Sequence, residues 1–176
     1  MTSVRAELVE TQGLKLMPLR PEHAGEMFAV LADEELYAFT GGTPPRPEEL
    51  RARYERWTAE SPDPAVTWLN WVIWLRDERC LAGTVQATIS KHDGPGDSRQ
   101  VAEVGWVVGR RWQGRGIASE AARALVASLR HQPIGLIIAH IHPGHSASAA
   151  VAVSAGLTPT ERWLEGERRW ELVLAR

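Results

Sequence analysis

Apolar and polar positions along this chain switch between the spacing of strands and the spacing of helices. Residues 14–19 alternate between apolar and polar side chains, which predicts a strand, and Pro21 then opens a predicted helix. Pro47 opens a second helix, in which Leu50 and Trp57 lie two turns apart. Helices interspersed among hairpins predict a mixed α/β (α+β) fold rather than a purely parallel one. Apolar, β-rich segments predict further strands at residues 67–75, 80–89, 134–141, 158–164 and 168–174.

The clearest helical pattern directly follows a loop that is rich in glycine and arginine. Glycine lets the backbone approach a ligand closely, and the first turn of a helix offers unpaired N–H groups. The arrangement therefore predicts a phosphate-binding loop, in which we expect at least one arginine to contact phosphate. The helix repeats apolar residues at Ile117, Ala121, Leu125 and Leu129. The loop before it contains Arg110, Arg111, Gly114, Arg115 and Gly116.

Two common nucleotide-binding loops do not fit this sequence. A Walker loop requires Gly followed by Lys and Ser or Thr, and no such string occurs in the chain. The dinucleotide fingerprint requires a third glycine where Ser119 stands and an acidic residue about twenty positions further on. Residues 121–160 contain neither Asp nor Glu. Both of these nucleotide-binding classes are therefore excluded.

The string Arg111-x-x-Gly114-x-Gly116 resembles the pyrophosphate-binding signature of the GNAT superfamily of N-acetyltransferases. Residues 102–106, directly before the loop, resemble the fourth strand of the RimL-like branch of that family. Residues 14–21 resemble the first strand of the same branch. The ordered set of motifs is more specific than any one of them.

A further part of the resemblance lies after the strand predicted at residues 134–141. The family pattern there is Asn-x-x-Ser, then a helix, then Gly-Phe. This chain keeps Ser148 and Gly156, but it has His145 in place of Asn and Leu157 in place of Phe. Because an imidazole changes its charge near neutral pH, the substitution at His145 alters a usual cofactor contact.

The resemblance implies a GNAT-like fold, with a central, mostly antiparallel mixed sheet of about seven strands flanked by about four helices. It implies a single domain over residues 1–176, in which we expect residues 1–12 to be flexible. It also implies acetyl-coenzyme A as cosubstrate and no metal. The implied cofactor-binding residues are Val107, Val108, Arg111, Trp112, Gln113, Gly114, Arg115, Gly116, Ile117, Ala118, Ser119, His145 and Ser148.

Acetyl transfer to an amine needs a base, donors that polarise the thioester oxygen, and a group that stabilises the leaving thiolate. Glu103 is the candidate base because it lies in a mostly apolar segment of the strand that leads into the loop, where we expect burial to tune its carboxyl for proton transfer. An exposed position or an ion pair with arginine is the alternative. Backbone N–H groups near Val107 and Val108 are the polarising donors that the resemblance implies.

This sequence lacks the tyrosine that many members of the resembled family use to stabilise the leaving thiolate. Many family members use a tyrosine after the fifth strand, whereas this chain has only Tyr37 and Tyr54, both far upstream. Ser148 is the candidate substitute because its hydroxyl can donate to sulfur, and a helix N-cap is its alternative role.

The composition limits the partners, the compartment and the metal chemistry that we expect for the protein. A formal charge of −2 gives no reason to expect nucleic acid or an anionic membrane as partner. With no apolar run of about 20 residues and no apolar signal segment, we expect a cytoplasmic protein. Cys80, the one cysteine, fits a reducing compartment and is expected to be a buried apolar residue. A zinc site at His140, His142 and His145 is conceivable but lacks a nearby acid or cysteine.

These features predict an N-acetyltransferase whose acceptor is a primary amine, either a protein N-terminus or a small molecule. Two alternatives remain open. One is a non-catalytic, coenzyme A-binding sensor or interaction module, and the other is a transferase of the same fold that uses another acyl donor, such as aminoacyl-tRNA. We expect a monomer or a homodimer.

Overall fold

The computed structural model describes residues 4–92, 94 and 96–175. Its strands are β1 (Val9–Glu10), β2 (Leu14–Pro18), β3 (Thr67–Leu75), β4 (Cys80–Lys91), β5 (Gln100–Val108), β6 (Ile134–Ile141), β7 (Thr158–Leu164) and β8 (Glu167–Val173). Its α-helices are α1 (Ala24–Val30), α2 (Pro47–Thr58), α3 (Ile117–Leu129) and α4 (Ser146–Ser154). Short 3-10 turns occur at Pro21–His23, Glu34–Tyr37 and Arg110–Trp112.

The described strands form one sheet in the order β1-β2-β3-β4-β5-β6-β8-β7. Neighbouring strands are antiparallel except β5 and β6. These two are parallel because α3 carries the chain from the end of one back to the start of the other. The predicted mixed, mostly antiparallel sheet with four helices is thereby confirmed. The strand beyond the expected seven or so is β1, where Val9 and Glu10 pair with β2.

The sheet divides between β5 and β6. Their pairing ends where Glu103 lies opposite Ile138. Beyond this point β5 continues over residues 104–108 beside β4, and β6 continues over residues 139–141 beside β8. We call these two stretches, which no longer pair with each other, the strand fork. Backbone groups of β5 that face the fork have no partner on β6, so they are free to bind a ligand.

Two pairs of helices cover the sheet. Helices α1 and α2 pack together and against β4 and β3, while α3 and α4 pack together and against β5 and β6. The apolar positions predicted for α3 are buried, with Ala121 and Leu125 fully so. Full burial of a leucine side chain stabilises the fold by roughly 1.5–3 kcal/mol. This packing fixes the start of α3, and hence the glycine-rich loop, against the end of β5.

The start of the first helix differs from the prediction. Pro21 opens the 3-10 turn Pro21–His23, and α1 begins only at Ala24. The backbone N–H of Arg20 donates to His23 Nδ1 at 3.0 Å, which closes this tighter turn.

The sequence analysis predicts that residues 1–12 are flexible. In the structure, hydrogen bonds join residues 4–12 to the sheet and to α3. Trp71 Nε1–H donates to Glu7 O at 2.8 Å, and Thr11 Oγ1 donates to Glu120 Oε1 at 2.7 Å. Residues 1–3 of that segment lie outside the described residues.

Candidate active site

The glycine-rich loop joins β5 to α3. Gly114 and Gly116 have φ angles of 74° and 76°, in the left-handed region that glycine adopts without steric cost. Gly116 is the N-cap of α3, and Glu120 N–H donates to Gly116 O at 3.0 Å. The N–H groups before Glu120 have no partner within the helix. At the positive end of the helix dipole they can bind an anion.

The space in front of this loop is open. A Cβ atom added to Gly114 or Gly116 would meet nothing within 4 Å. These glycines are therefore required for their φ angles rather than by a crowded protein neighbour. At the start of α3, Ile117 is buried, whereas Ala118 and Ser119 are half-buried.

Glu78, in the turn between β3 and β4, accepts hydrogen bonds from side chains of the loop. It accepts hydrogen bonds from Arg115 and, at 3.0 Å, from Trp112 Nε1–H. The bond from Arg115, and then that from Trp112, lowers the pKa of the Glu78 carboxyl, so it stays ionised near neutral pH. Arg111 Nη2 lies 3.9 Å from the same carboxylate, and its side chain is 77% exposed. The Arg111 guanidinium can therefore turn toward a ligand.

Arg110 faces the 3-10 turn Glu34–Tyr37 instead. It pairs with Glu35, and its Nε lies 3.8 Å from Asp33 Oδ2. This residue fastens the turn to the loop. Among the arginines of the loop, Arg111 and Arg115 are better placed for the expected phosphate contact, which stays a prediction.

Trp112 and Gln113 support the loop from the protein side. Trp112 is 9% exposed and packs in the core. Gln113 Nε2 donates to Val108 O at 3.0 Å. Both side chains hold the loop against the end of β5, and both backbone N–H groups donate within the loop, to Gly109 O and Arg110 O. The cofactor contact expected of these two residues stays a prediction.

Val107 and Val108 end β5 at the strand fork. Gly109 N–H donates to Ala82 O at 2.8 Å, and paired groups alternate along an antiparallel ladder. This alternation turns the N–H of Val107 toward β4 and the N–H of Val108 toward the fork. Val108 N–H can therefore polarise a carbonyl oxygen placed between the strands.

Glu103 lies at the closed end of the strand fork. Its side chain is 50% exposed, and its Oε1 lies 2.9 Å from Nδ1 of His140, whose side chain is 11% exposed. The sequence predicts that Glu103 is a catalytic base, with an exposed position or an ion pair with arginine as the alternative. The structure gives Glu103 a histidine partner and leaves its carboxylate accessible, an arrangement that can accept a proton from a ligand in the fork.

The turn between β6 and α4 is capped by His145 rather than by Ser148. His145 Nδ1 accepts the N–H of Ser148 at 3.3 Å. Burial, and then the charge of His142, lowers the pKa of His145. The ring is therefore neutral near pH 7, with its hydrogen on Nε2. The Ser148 hydroxyl makes no hydrogen bond within the part of the chain that the structure describes, so it is available to a ligand.

Phe39 reaches this turn from the segment between α1 and α2. Its ring stacks on His145, with centroids 4.5 Å apart and planes at 24°. It also lies 5.2 Å from the ring of His142. The predicted site residues His145 and Ser148 thus lie beneath an aromatic side chain.

Sequence reasoning missed the roles of Phe39, Glu78 and His140. Phe39 and Glu78 reach the site across long separations in sequence, and no local pattern signals such contacts. His140 was considered only as a metal ligand. The available signal was its spacing from Ile138, which puts both side chains on one face of β6.

The described residues do not support two other candidates, a reactive cysteine and a metal site. Cys80, which the sequence predicts to be buried, is only half-buried and lines a cleft of about 700 Å³ beside α1. Burial raises the pKa of its thiol, which keeps it protonated and unreactive near neutral pH. Across the described ranges, no three His, Cys, Asp or Glu side chains cluster so that they could hold a metal ion.

The sequence matches a protein-family model described as the acetyltransferase (GNAT) domain over residues 14–158. The chain belongs to the GNAT acetyltransferase family. Its GNAT domain runs from β2 to the first residue of β7, so it includes the glycine-rich loop, the strand fork and the pair of Glu103 with His140.

Solved structures share this GNAT fold at low sequence identity. A Salmonella typhimurium acetyltransferase that modifies the N-terminal serine of ribosomal protein L7/L12 has a TM-score of 0.73 at 16% identity, covering 96% of this chain and 100% of that one. RimL, an L7/L12 α-N-acetyltransferase solved with coenzyme A, has a TM-score of 0.74 at 16% identity, covering 96% and 98%. MccE, a microcin C7 self-immunity acetyltransferase solved with acetyl-CoA and AMP, has a TM-score of 0.72 at 16% identity, covering 93% and 94%.

These GNAT neighbours include RimL enzymes, the branch that the strand motifs resemble. A comparison with curated protein sequences finds no match. In the described part of the chain, every helix is too short or too polar to cross a membrane. Family membership gives the reaction class, acetyl transfer, and leaves the acceptor open.

Proposed function

We propose that this protein transfers the acetyl group of acetyl-coenzyme A to a primary amine, either a protein N-terminus or a small molecule. The observation that carries the proposal is the half-exposed carboxylate of Glu103 at the closed end of the strand fork. The glycine-rich loop begins at the other end of the fork, after Val108. At about 3.3 Å per residue these ends lie roughly 17 Å apart, so the donor needs a long arm between its phosphates and its reactive carbonyl.

The donor site follows from the order of groups along the fork. The free N–H groups at the start of α3, with Arg111 and Arg115, bind the pyrophosphate. The arm of coenzyme A lies between β5 and β6. Val108 N–H, beside the loop, donates to a carbonyl oxygen of this arm. The same alternation turns every second N–H of β5 toward the fork. A fork-facing N–H between Glu103 and Val108 donates to the thioester oxygen, on which negative charge develops as the amine attacks.

The acceptor amine approaches Glu103 on the face of the sheet that carries Trp68 and Thr88. The strand register places these three residues side by side across β3, β4 and β5. Glu103 removes a proton from the ammonium group, directly or through water, and the neutral amine then attacks the thioester carbon. A C–N bond forms and the C–S bond breaks. The Ser148 hydroxyl donates a hydrogen bond to the departing sulfur, which leaves as the thiolate. The attacking nitrogen loses its second proton as the C–S bond breaks, and that proton ends on the thiolate to give the free thiol.

The alternative of a non-catalytic coenzyme A-binding module would not need a base at the fork. A donor such as aminoacyl-tRNA would need a basic surface for its RNA, and the net charge of −2 does not favour one. The position of Glu103 favours catalysis with acetyl-coenzyme A.

The test mixes the purified protein with acetyl-coenzyme A and, in turn, a peptide with an N-terminal serine, a polyamine and an aminoglycoside. Release of free thiol and a mass increase of one acetyl group on an amine are the expected results. Glu103→Gln provides the matched control for background thioester hydrolysis. Calorimetric binding of acetyl-coenzyme A without transfer to any of these amines would contradict the proposal and support the binding module.

A further inference from the structure

The carboxylate of Glu103 is held by a residue from the other arm of the sheet. Pairing of β5 with β6 ends at Glu103 and Ile138. His140 follows Ile138 by two positions, so its side chain lies on the same face, beyond the last paired residue. Its Nδ1 reaches back to Glu103 Oε1 at 2.9 Å. One hydrogen bond therefore joins the two arms of the fork where their backbones separate.

The burial of the two partners is unequal. The His140 side chain is 11% exposed, whereas that of Glu103 is 50% exposed. A ring enclosed in this way has little freedom to change its rotamer, and a half-exposed glutamate normally has several. The histidine is thus the fixed partner, and it determines where the carboxylate lies.

The neighbouring charges do not compete for Glu103. Arg169 lies opposite His140 in the pairing of β6 with β8, and its Nε is 2.8 Å from Glu171 Oε1. Arg162 Nη1 lies 3.7 Å from the same Glu171 oxygen. Within the described residues, His140 is the only group that hydrogen-bonds to the Glu103 side chain.

The contact also determines the tautomer of His140. An ionised carboxylate can only accept a hydrogen bond, so Nδ1 must carry the hydrogen. In the neutral ring, Nε2 is then the bare nitrogen. This is the less common arrangement for a free imidazole, and it therefore provides a spectroscopic signature of the pair.

We propose that His140 is a positioning residue for the acetyl transfer. Its Nδ1–H fixes one oxygen of Glu103 and leaves the other oxygen free to receive the proton of the amine. This role rests on the proposed function, in which Glu103 is the base. It predicts that Glu103 and His140 are coupled, so that loss of His140 has little further effect on turnover once Glu103 is replaced.

The kinetic test compares His140→Ala with His140→Asn, whose amide nitrogen occupies nearly the place of Nδ1. We expect His140→Ala to lower kcat about 10- to 100-fold, the effect of one hydrogen bond to a charged group, with an unchanged KM for acetyl-coenzyme A. We expect His140→Asn to recover most of this loss. In a Glu103→Gln background, His140→Ala should change kcat less than threefold.

The second measurement needs no acceptor. Two-bond ¹H–¹⁵N spectra of the protein, recorded where its imidazoles are neutral, should show His140 protonated at Nδ1 and should show a changed signal in Glu103→Ala. Protonation at Nε2, or full activity of folded His140→Ala, would overturn the positioning role. Failure of the wild-type protein to acetylate any amine in the panel would instead overturn the proposed function and this role with it.

Discussion

The ring of Phe39 stacks on His145, at 4.5 Å between centroids. A few residues before it, Glu35 pairs with Arg110. Through these two contacts, the segment between α1 and α2 spans from the turn after β6 to the loop after β5. The segment therefore borders the open end of the strand fork, next to His145 and Ser148, two of the predicted donor-binding residues.

Phe39→Ala tests this segment. Loss of the stacked pair should lower the free energy of unfolding by about 0.5–1.5 kcal/mol. It should also raise the KM for acetyl-coenzyme A more than the KM for the amine, because Phe39 packs on a predicted donor-binding residue. Urea unfolding and steady-state kinetics measure the two effects. Leu164→Ala, another exposed apolar residue at 53%, is the control and should change neither KM. Equal changes of both KM values in Phe39→Ala would contradict the assignment.

Gly116→Ala tests the glycine-rich loop. A Cβ at a φ of 76° should lower the free energy of unfolding by roughly 1–2 kcal/mol. The strained loop should also misplace its N–H groups and weaken acetyl-coenzyme A binding at least tenfold, or about 1.4 kcal/mol. Gly25→Ala on α1 is the matched control, since its added Cβ meets nothing within 4 Å and its φ is ordinary. Wild-type affinity by calorimetry in folded Gly116→Ala would remove the loop from the donor site.

Glu103→Gln tests the base. We expect acetyl-coenzyme A to bind normally while turnover falls about 10²- to 10⁴-fold. Part of the turnover should return at high pH, where the amine is already neutral. Rates measured against pH provide the comparison, with Glu161→Gln, a 91% exposed carboxylate on the β7–β8 hairpin, as control. A loss that is the same at every pH would assign Glu103 a structural role.

Ser148→Ala separates capping from catalysis. Because His145 caps α4, the variant should keep the wild-type melting temperature within about 1 °C, whereas loss of a cap side chain costs about 1 kcal/mol. Turnover should fall in a way that depends little on the basicity of the amine, since the serine acts on the sulfur. Normal turnover with every amine would exclude Ser148 from the reaction.

His145→Asn tests the pH dependence of stability. The pKa of His145 is lowered from 6.5 by burial. As the pH falls below about 6.5, the unfolded chain gains a proton that the folded chain does not bind, so this histidine makes the fold less stable toward acid. Asparagine keeps the capping acceptor without titrating. The melting temperature of His145→Asn should therefore fall less between pH 7 and pH 5.

The comparison is not disturbed by the other histidine with a lowered pKa. Burial lowers the pKa of His23 as well, but His23 is present in both proteins and cancels in the difference. Parallel melting curves across this pH range would show that His145 does not contribute.

Local patterns in the sequence were sufficient for most of the fold. The apolar, β-rich residues 67–75 and the polar turn after them predict the hairpin of β3 and β4, and the apolar repeat from Ile117 to Leu129 predicts α3 with its observed bounds. The glycines of the loop predicted a close approach of the backbone to phosphate, and the structure adds that Gly114 and Gly116 have left-handed φ angles.

The catalytic arrangement depends on information that no local pattern contains. The pairing of Glu103 with His140 requires the parallel register of two strands that α3 separates, and the end of their pairing fixes its position. An N-cap of α4 was the alternative role considered for Ser148, because serine is a common N-cap. His145 takes this role because its ring, packed beneath Phe39, points Nδ1 at the Ser148 N–H.

The acidic partner of Arg115 has a consequence for binding in salt. The guanidinium of Arg115 is already paired with the carboxylate of Glu78. When a polyphosphate binds, Arg115 exchanges one anion for another and releases few mobile counterions. Arg111, whose side chain is 77% exposed, is the phosphate-binding arginine that still gives up counterions. The affinity for the donor should therefore decline less steeply with ionic strength than at a site where every arginine is unpaired.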